Sequence, residues 1–182
     1  MKQLRSVLAT LVLALAVAAP AAARGGGGTV TTFGVGPLSF DLSTSNDVLS
    51  WAGNPDRIVY WDQNGSPTRV SYGNAAFAIA QYNYAAHGYI SYGFYWDGSE
   101  WLLGEFDTTL ERFHDERGTR VGMSYGEARR RENRPLAGGC LDSGLWRFHY
   151  GADGELYSMV VGVNRGQRVH ALHAYGPNPL PC

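Results

Sequence analysis

Between Gly88 and Trp96 apolar and polar positions alternate. Ile90, Tyr92, Phe94 and Trp96 fall on one side of an extended strand, with Tyr89, Ser91, Gly93 and Tyr95 on the other. Asp97-Gly98 then supplies a hairpin turn, and Trp101 to Phe106 returns as a second strand. Leu110 to Glu116 reads as a third, more polar strand, so the stretch predicts an antiparallel meander with one apolar face. The pattern returns downstream. Leu145 to Tyr150, Leu156 to Val163 and Arg168 to Tyr175 are apolar or alternating segments separated by Gly151-Ala152-Asp153-Gly154 and Asn164-Arg165-Gly166. Upstream, Arg57 to Trp61 and Thr68 to Tyr72 form a strand pair around the turn Asp62 to Pro67, and Thr29 to Phe40 is Gly-punctuated and β-prone.

Helices are fewer and short. In Gly122-Met123-Ser124-Tyr125-Gly126-Glu127 the spacing of Ser124 and Glu127 is that of a capping box, predicting a helix from Tyr125 to Glu132. Ser43, Thr44 and Ser45 offer caps for a second helix, Asn46 to Ala52, ended by Gly53-Asn54-Pro55. Asn74 to Ala86 is rich in alanine and predicts a third helix.

Helix first and meander second, twice over, is the main architectural inference. Pro55 and Pro135 lie 80 residues apart, and Phe94 to Gly98 matches Phe148 to Gly154 in its order of aromatics and turn. The expected fold class is α+β, two similar units, each with short helices packed on an antiparallel β-meander. Residues 33–116 would form the first unit and residues 117–182 the second, with a disulfide-tied C-terminal tail. Gly122-Met123-Ser124-Tyr125-Gly126-Glu127-Ala128 is similar to the Gly-Met-Ser/Thr-x-x-Glu/Asp-Val phrase of small outer-membrane assembly lipoproteins, and Asp41 to Val48 is a degenerate copy. The tandem arrangement resembles the secreted β-lactamase inhibitor proteins of actinomycetes. That resemblance implies a binding function of inhibitor type. The first unit lacks the cysteines that such inhibitors carry in each repeat, and the lipidated cysteine of the lipoproteins is missing as well.

The start of the chain changes the setting. Lys2 and Arg5 precede an apolar run from Val7 to Ala19, then Ala21-Ala22-Ala23, which together read as a secretory signal peptide over residues 1–23. Residues 24–32 then form a Gly-rich flexible leader. The run is too short for a transmembrane anchor, so the expected product is secreted, extracellular or periplasmic. In that compartment the two cysteines, Cys140 and Cys182, are expected to pair as a disulfide. Removing the signal leaves 13 Lys+Arg against 16 Asp+Glu, a net charge near −3. A nucleic-acid partner is not expected from an acidic chain.

Candidate chemistry is sparse. Five histidines occur, His87, His114, His149, His170 and His173, without the ligand spacing of a metal site, and no cofactor is expected. Gly122-Met123-Ser124-Tyr125-Gly126 matches the Gly-x-Ser-x-Gly phrase of a nucleophile elbow, which makes a small secreted hydrolase using Ser124 or a carboxylate pair the alternative reading. A structural envelope protein without a specific ligand is a third. The leading reading is non-catalytic binding of a protein or cell-envelope component. Tyr89, Tyr95 and Trp101 are expected on the sheet face away from the helices, with Arg147 and His149 as their counterparts in the second unit. Such Tyr, Trp, Arg and His side chains are what protein interfaces use as anchors. The rival is that this face is covered and the aromatics are core.

Overall fold

The computed structural model describes residues 27–70, 73–84, 88–133, 146–150, 158–163 and 168–176, with only the backbone described over 146–150 and 158–163. The signal peptide, the Cys140–Cys182 pair, His87 and the turns at 151–157 and 164–167 lie outside the described residues.

The strands fall into two sheets. A small one comprises β1 (Thr29–Thr31), β2 (Gly34–Val35), β3 (Leu38–Ser39) and β9 (His114–Asp115), in the order β3-β2-β1-β9. The larger one holds β4 (Arg57–Asp62), β5 (Pro67–Thr68), β6 (Ala75–Asn83), β7 (Tyr89–Trp96), β8 (Trp101–Thr108), β10 (Trp146–Tyr150), β11 (Ser158–Val163) and β12 (Val169–Tyr175). Its order is β10-β11-β12-β8-β7-β6-β4-β5, with every pairing antiparallel. Two helices, α1 (Ser45–Ala52) and α2 (Tyr125–Glu132), complete the described elements. The chain is therefore an α+β protein built on an antiparallel sheet.

The β7–β8 hairpin forms as its alternation predicts. Asp97 Oδ1 accepts the backbone N–H groups of Ser99 at 2.7 Å and Glu100 at 2.8 Å, and Gly98 adopts φ 107°, a conformation only glycine enters freely. The backbone N–H of Glu100, first among these bonds, holds the Asp97 carboxyl below its ordinary range. On the inner side Ile90, Tyr92, Phe94, Leu103 and Phe106 are buried, and they join Ala78, Ala80, Leu172 and Ala174 in one core. Over them pack Val48 and Ala52 of α1, Ala128 of α2, and Val30, Val35 and Leu38 of the small sheet.

Two expected elements are corrected. Residues 75–83 form strand β6 and not a helix; Ala78, Ala80 and Tyr82 are buried while Phe77, Ile79 and Gln81 between them are half-buried, a period of two. Tyr92 of β7 stands opposite Ala80 and meets Tyr82 edge-on at 5.6 Å and Trp51 at 6.2 Å. Tertiary packing overrides the alanines' helix preference. The meander is accordingly β6-β7-β8. Leu110 to Glu116 is not its third strand: Leu110 and Phe113 are both buried across a turn closed by the Phe113 N–H on the Leu110 carbonyl at 3.2 Å. Only His114–Asp115 is extended, and it pairs in parallel with β1 in the other sheet.

Both helices start as expected, with a difference of degree. Thr44 caps α1 with a complete box, the Asp47 carboxylate accepting the Thr44 N–H at 2.8 Å and the Thr44 hydroxyl accepting the Asp47 N–H at 3.3 Å. At α2 the Ser124 hydroxyl accepts the Glu127 N–H at 3.3 Å, but the Glu127 carboxylate turns outward to Arg131 at 3.0 Å. Ser124→Ala is expected to lower stability by about 1 kcal/mol in urea titrations. Each cap segment is also hydrogen-bonded to a strand of the large sheet, β8 or β12. Asp41 N donates to the Leu103 carbonyl and Leu103 N to Ser43, both at 2.8 Å; Gly122 N donates to Val169 and Val169 N to Met123, both at 2.9 Å.

Candidate binding face

Strand register decides which side chains share the outer face of the large sheet. Trp61 stands opposite Phe77, Phe77 opposite Tyr95, and Tyr95 opposite Leu102, forming one apolar row across four strands. The next row runs Val59, Ile79, Gly93, Glu105 and Tyr175. The third runs Arg57, Gln81, Ser91, Asp107 and His173, and continues through the backbone positions of Val160 and His149. Nearly all these side chains are half-buried, whereas the inward-facing Ala78, Ala80, Ile90, Tyr92, Phe94, Leu103 and Phe106 are buried; Trp96 and Trp101, at the hairpin end, are more open. The buried residues of α1 that belong to the core, Val48 and Ala52, and Ala128 of α2 all pack on the inner side. The outer face is graded, apolar at the Trp61–Leu102 end and polar at the Asp107–His173 end.

A bulge creates that gradation. The β7–β8 register shifts between Gly93 and Phe94. Without the shift, the alternation that turns Trp101 and Leu103 inward would carry Glu105 and Asp107 inward as well. The extra residue turns both carboxylates outward and returns Phe106 to the core.

Polar groups at both ends of this face are already paired within the chain. The Tyr89 hydroxyl donates to Asp107 Oδ2 at 2.5 Å, and the Tyr95 hydroxyl donates to Asp41 Oδ1 at 2.7 Å. Burial, and then the charge of Asp107 beside it, raises the Tyr89 hydroxyl above the usual tyrosine range, so it remains a donor. His173 Nε2 lies 3.5 Å from Glu105 Oε1, and its ring meets Tyr175 edge-on at 5.3 Å. These contacts hold the rings in place within the chain itself.

Of the residues singled out in the sequence, Tyr89 and Tyr95 lie on this face, and Arg147 and His149 occupy its register positions on β10. Trp101 does not. It stands directly opposite Trp96, so it shares the inner face with Phe94 and Leu103 and packs on Tyr60 at 5.8 Å and Trp96 at 5.5 Å. Cross-strand partners share a face, and the turn Asp97 to Glu100 sets that pairing. His149 and His173 are separated by Val160 of β11, roughly 10 Å across two strand spacings. Among the described residues no group of three or more His, Cys, Asp or Glu side chains is placed to hold a metal ion.

Sequence reasoning missed Trp61, Phe77, Glu105 and Tyr175. Trp61 was readable from the alternation after Arg57; Phe77 was hidden by the helical reading of its alanine neighbours. Ser124 has the surroundings of a cap: residues 121–123 form a turn where a nucleophile elbow needs a strand, and its hydroxyl serves the Glu127 N–H.

No protein-family model matches the chain, and no curated protein shows a significant match to it. Among solved structures, it is similar to a DUF4309 family protein, YjgB, from Bacillus subtilis, with 14% identity and a TM-score of 0.50 over 82% of this chain and 88% of that one. An extracellular protein containing an SCP domain from Bacillus anthracis matches with 9% identity and a TM-score of 0.45, over 74% of this chain and 43% of that one. The likeness to the first is one of fold. Among the described residues no helix is long and apolar enough to cross a membrane.

Proposed function

We propose that this chain is an exported, non-catalytic binding protein that engages a protein or cell-envelope partner through the outer face of its large sheet. The observation that carries the reading is the row Trp61–Phe77–Tyr95–Leu102, four large side chains abreast, with Glu105, Tyr175 and Asp107 in the rows to one side of it. An apolar patch bordered by polar groups has the composition of an interface core and rim. Export rests on the basic start, apolar run and small-residue site of residues 1–23.

The same reading takes the chain as two copies of one unit, in the manner of the tandem inhibitors. Its support is the matching pair of backbone hydrogen bonds that tie each helix cap to a final strand, Asp41 and Ser43 to Leu103, and Gly122 and Met123 to Val169. The final strands β8 and β12 then meet as antiparallel neighbours, joining the two halves into one sheet. An inhibitor-type partner would be a secreted or envelope enzyme.

The test is capture of partners from the producing organism's secreted and envelope fractions, by wild type and by Phe77→Ala/Tyr95→Ala. Trp96→Ala, on the opposite face and 43% exposed, is the control. A specific partner held by wild type and the control but lost at least tenfold by the double variant is the expected result. Equal retention by a folded double variant would place the interface elsewhere.

A further inference from the structure

The inner side of the sheet has a pocket that the outer-face reading does not use. It lies between α1 and strands β4, β6 and β8, with a volume of about 170 Å³. Its floor is Ala78 and Ala80, whose methyl groups leave the space that a larger side chain would fill. Tyr60, Phe94 and Trp101 wall one side, while Val48 and Leu49 of α1 close the other. The rim is open to solvent: Leu49 is 37% exposed and Ile58 45%.

Three features restrict what fits. None of the ten lining residues carries a charge, and the hydroxyl of Tyr82 is already committed to the Gly53 carbonyl at 2.9 Å. A charged ligand would lose its hydration with no opposite charge to replace it. The volume is close to the roughly 150 Å³ of an apolar cavity that takes benzene. Four of the ten lining residues, Tyr60, Tyr82, Phe94 and Trp101, are aromatic, and rings meeting edge-to-face contribute beyond the area they bury.

We propose that this pocket binds a small uncharged molecule carrying one aromatic ring. Toluene, with benzoate as its charged counterpart, is the probe, and the protein is expressed from its full coding chain. In methyl-resolved NMR, toluene is expected to shift the Ala78 and Ala80 signals saturably at millimolar concentration, and benzoate to leave them unmoved. Ala78→Leu fills the floor and is expected to weaken toluene binding at least tenfold with an unchanged far-UV spectrum. Absence of a saturable shift in the wild type, equal shifts with benzoate, or undiminished binding by a folded Ala78→Leu would each overturn the assignment. If Ala78→Leu does not fold, the wild-type methyl shifts and the toluene–benzoate contrast decide. Because Phe77 and Tyr95 lie on the other face, the Phe77→Ala/Tyr95→Ala protein should bind toluene as the wild type does.

Discussion

Phe106→Ala is expected to destabilise the protein by about 3 to 5 kcal/mol, the range for emptying a large buried aromatic site. Phe106 is fully buried on β8, which lies between β7 on one side and β12 on the other. Its ring packs on Tyr92 at 5.4 Å and Phe113 at 5.3 Å, and its backbone stands opposite Ala174. Ala174 is too small to refill the space, so a cavity would open at the seam. Urea unfolding followed by far-UV circular dichroism measures the loss. A drop below 1 kcal/mol would mean that the seam is not packed as described.

Glu132→Gln is expected to abolish most of a fall in stability that the wild type shows as the pH rises from about 5 to about 8. Glu132 is buried at the end of α2, where its carboxyl accepts the Thr119 hydroxyl and lies 3.2 Å from an Arg117 guanidinium nitrogen. Asp115, buried beside it, already accepts the backbone N–H groups of Arg117 at 2.9 Å and Thr119 at 2.7 Å. Burial, and then the hydrogen bond and charge of Asp115, push Glu132 up to about 7 from an ordinary 4.5. A carboxyl raised in the folded state binds its proton more tightly there than in the unfolded chain. The stabilising contribution is therefore complete below about 4.5 and is lost as the pH rises through about 7. Glutamine keeps a neutral donor and acceptor in the same place and has no proton to lose. Denaturation midpoints at several pH values check this, and a wild type whose stability stays level across the interval would refute it.

The parts of the fold legible in sequence were those set by neighbours along the chain. The β7–β8 hairpin follows from alternation and Asp97-Gly98, and both helix starts follow from Thr44 and Ser124. Strands β10, β11 and β12 fall close to their expected limits. Ala75 to Asn83 was illegible because alanine prefers helix locally; only its pairing between β4 and β7 makes it a strand. The candidate face was half legible. Tyr89 and Tyr95 could be placed with each other, since they share one strand's parity. Trp101 could not, because its face depends on pairing with Trp96 across the turn. Glu105 and Asp107 depend in addition on a bulge, which reverses parity for every residue beyond it.

The sequence by itself determined the class of the fold, the helix caps, the core stripe of β7 and the expectation of export. These rest on local periodicity, on capping chemistry and on a contiguous N-terminal pattern. Tertiary structure alone decided that β8 joins β12, that Trp61, Phe77, Tyr95 and Leu102 stand abreast, and that Trp101 walls a pocket on the opposite side. The reason is physical. Register and sheet order are set by contacts between residues far apart in the chain, and no single strand carries the information about which neighbour it will meet.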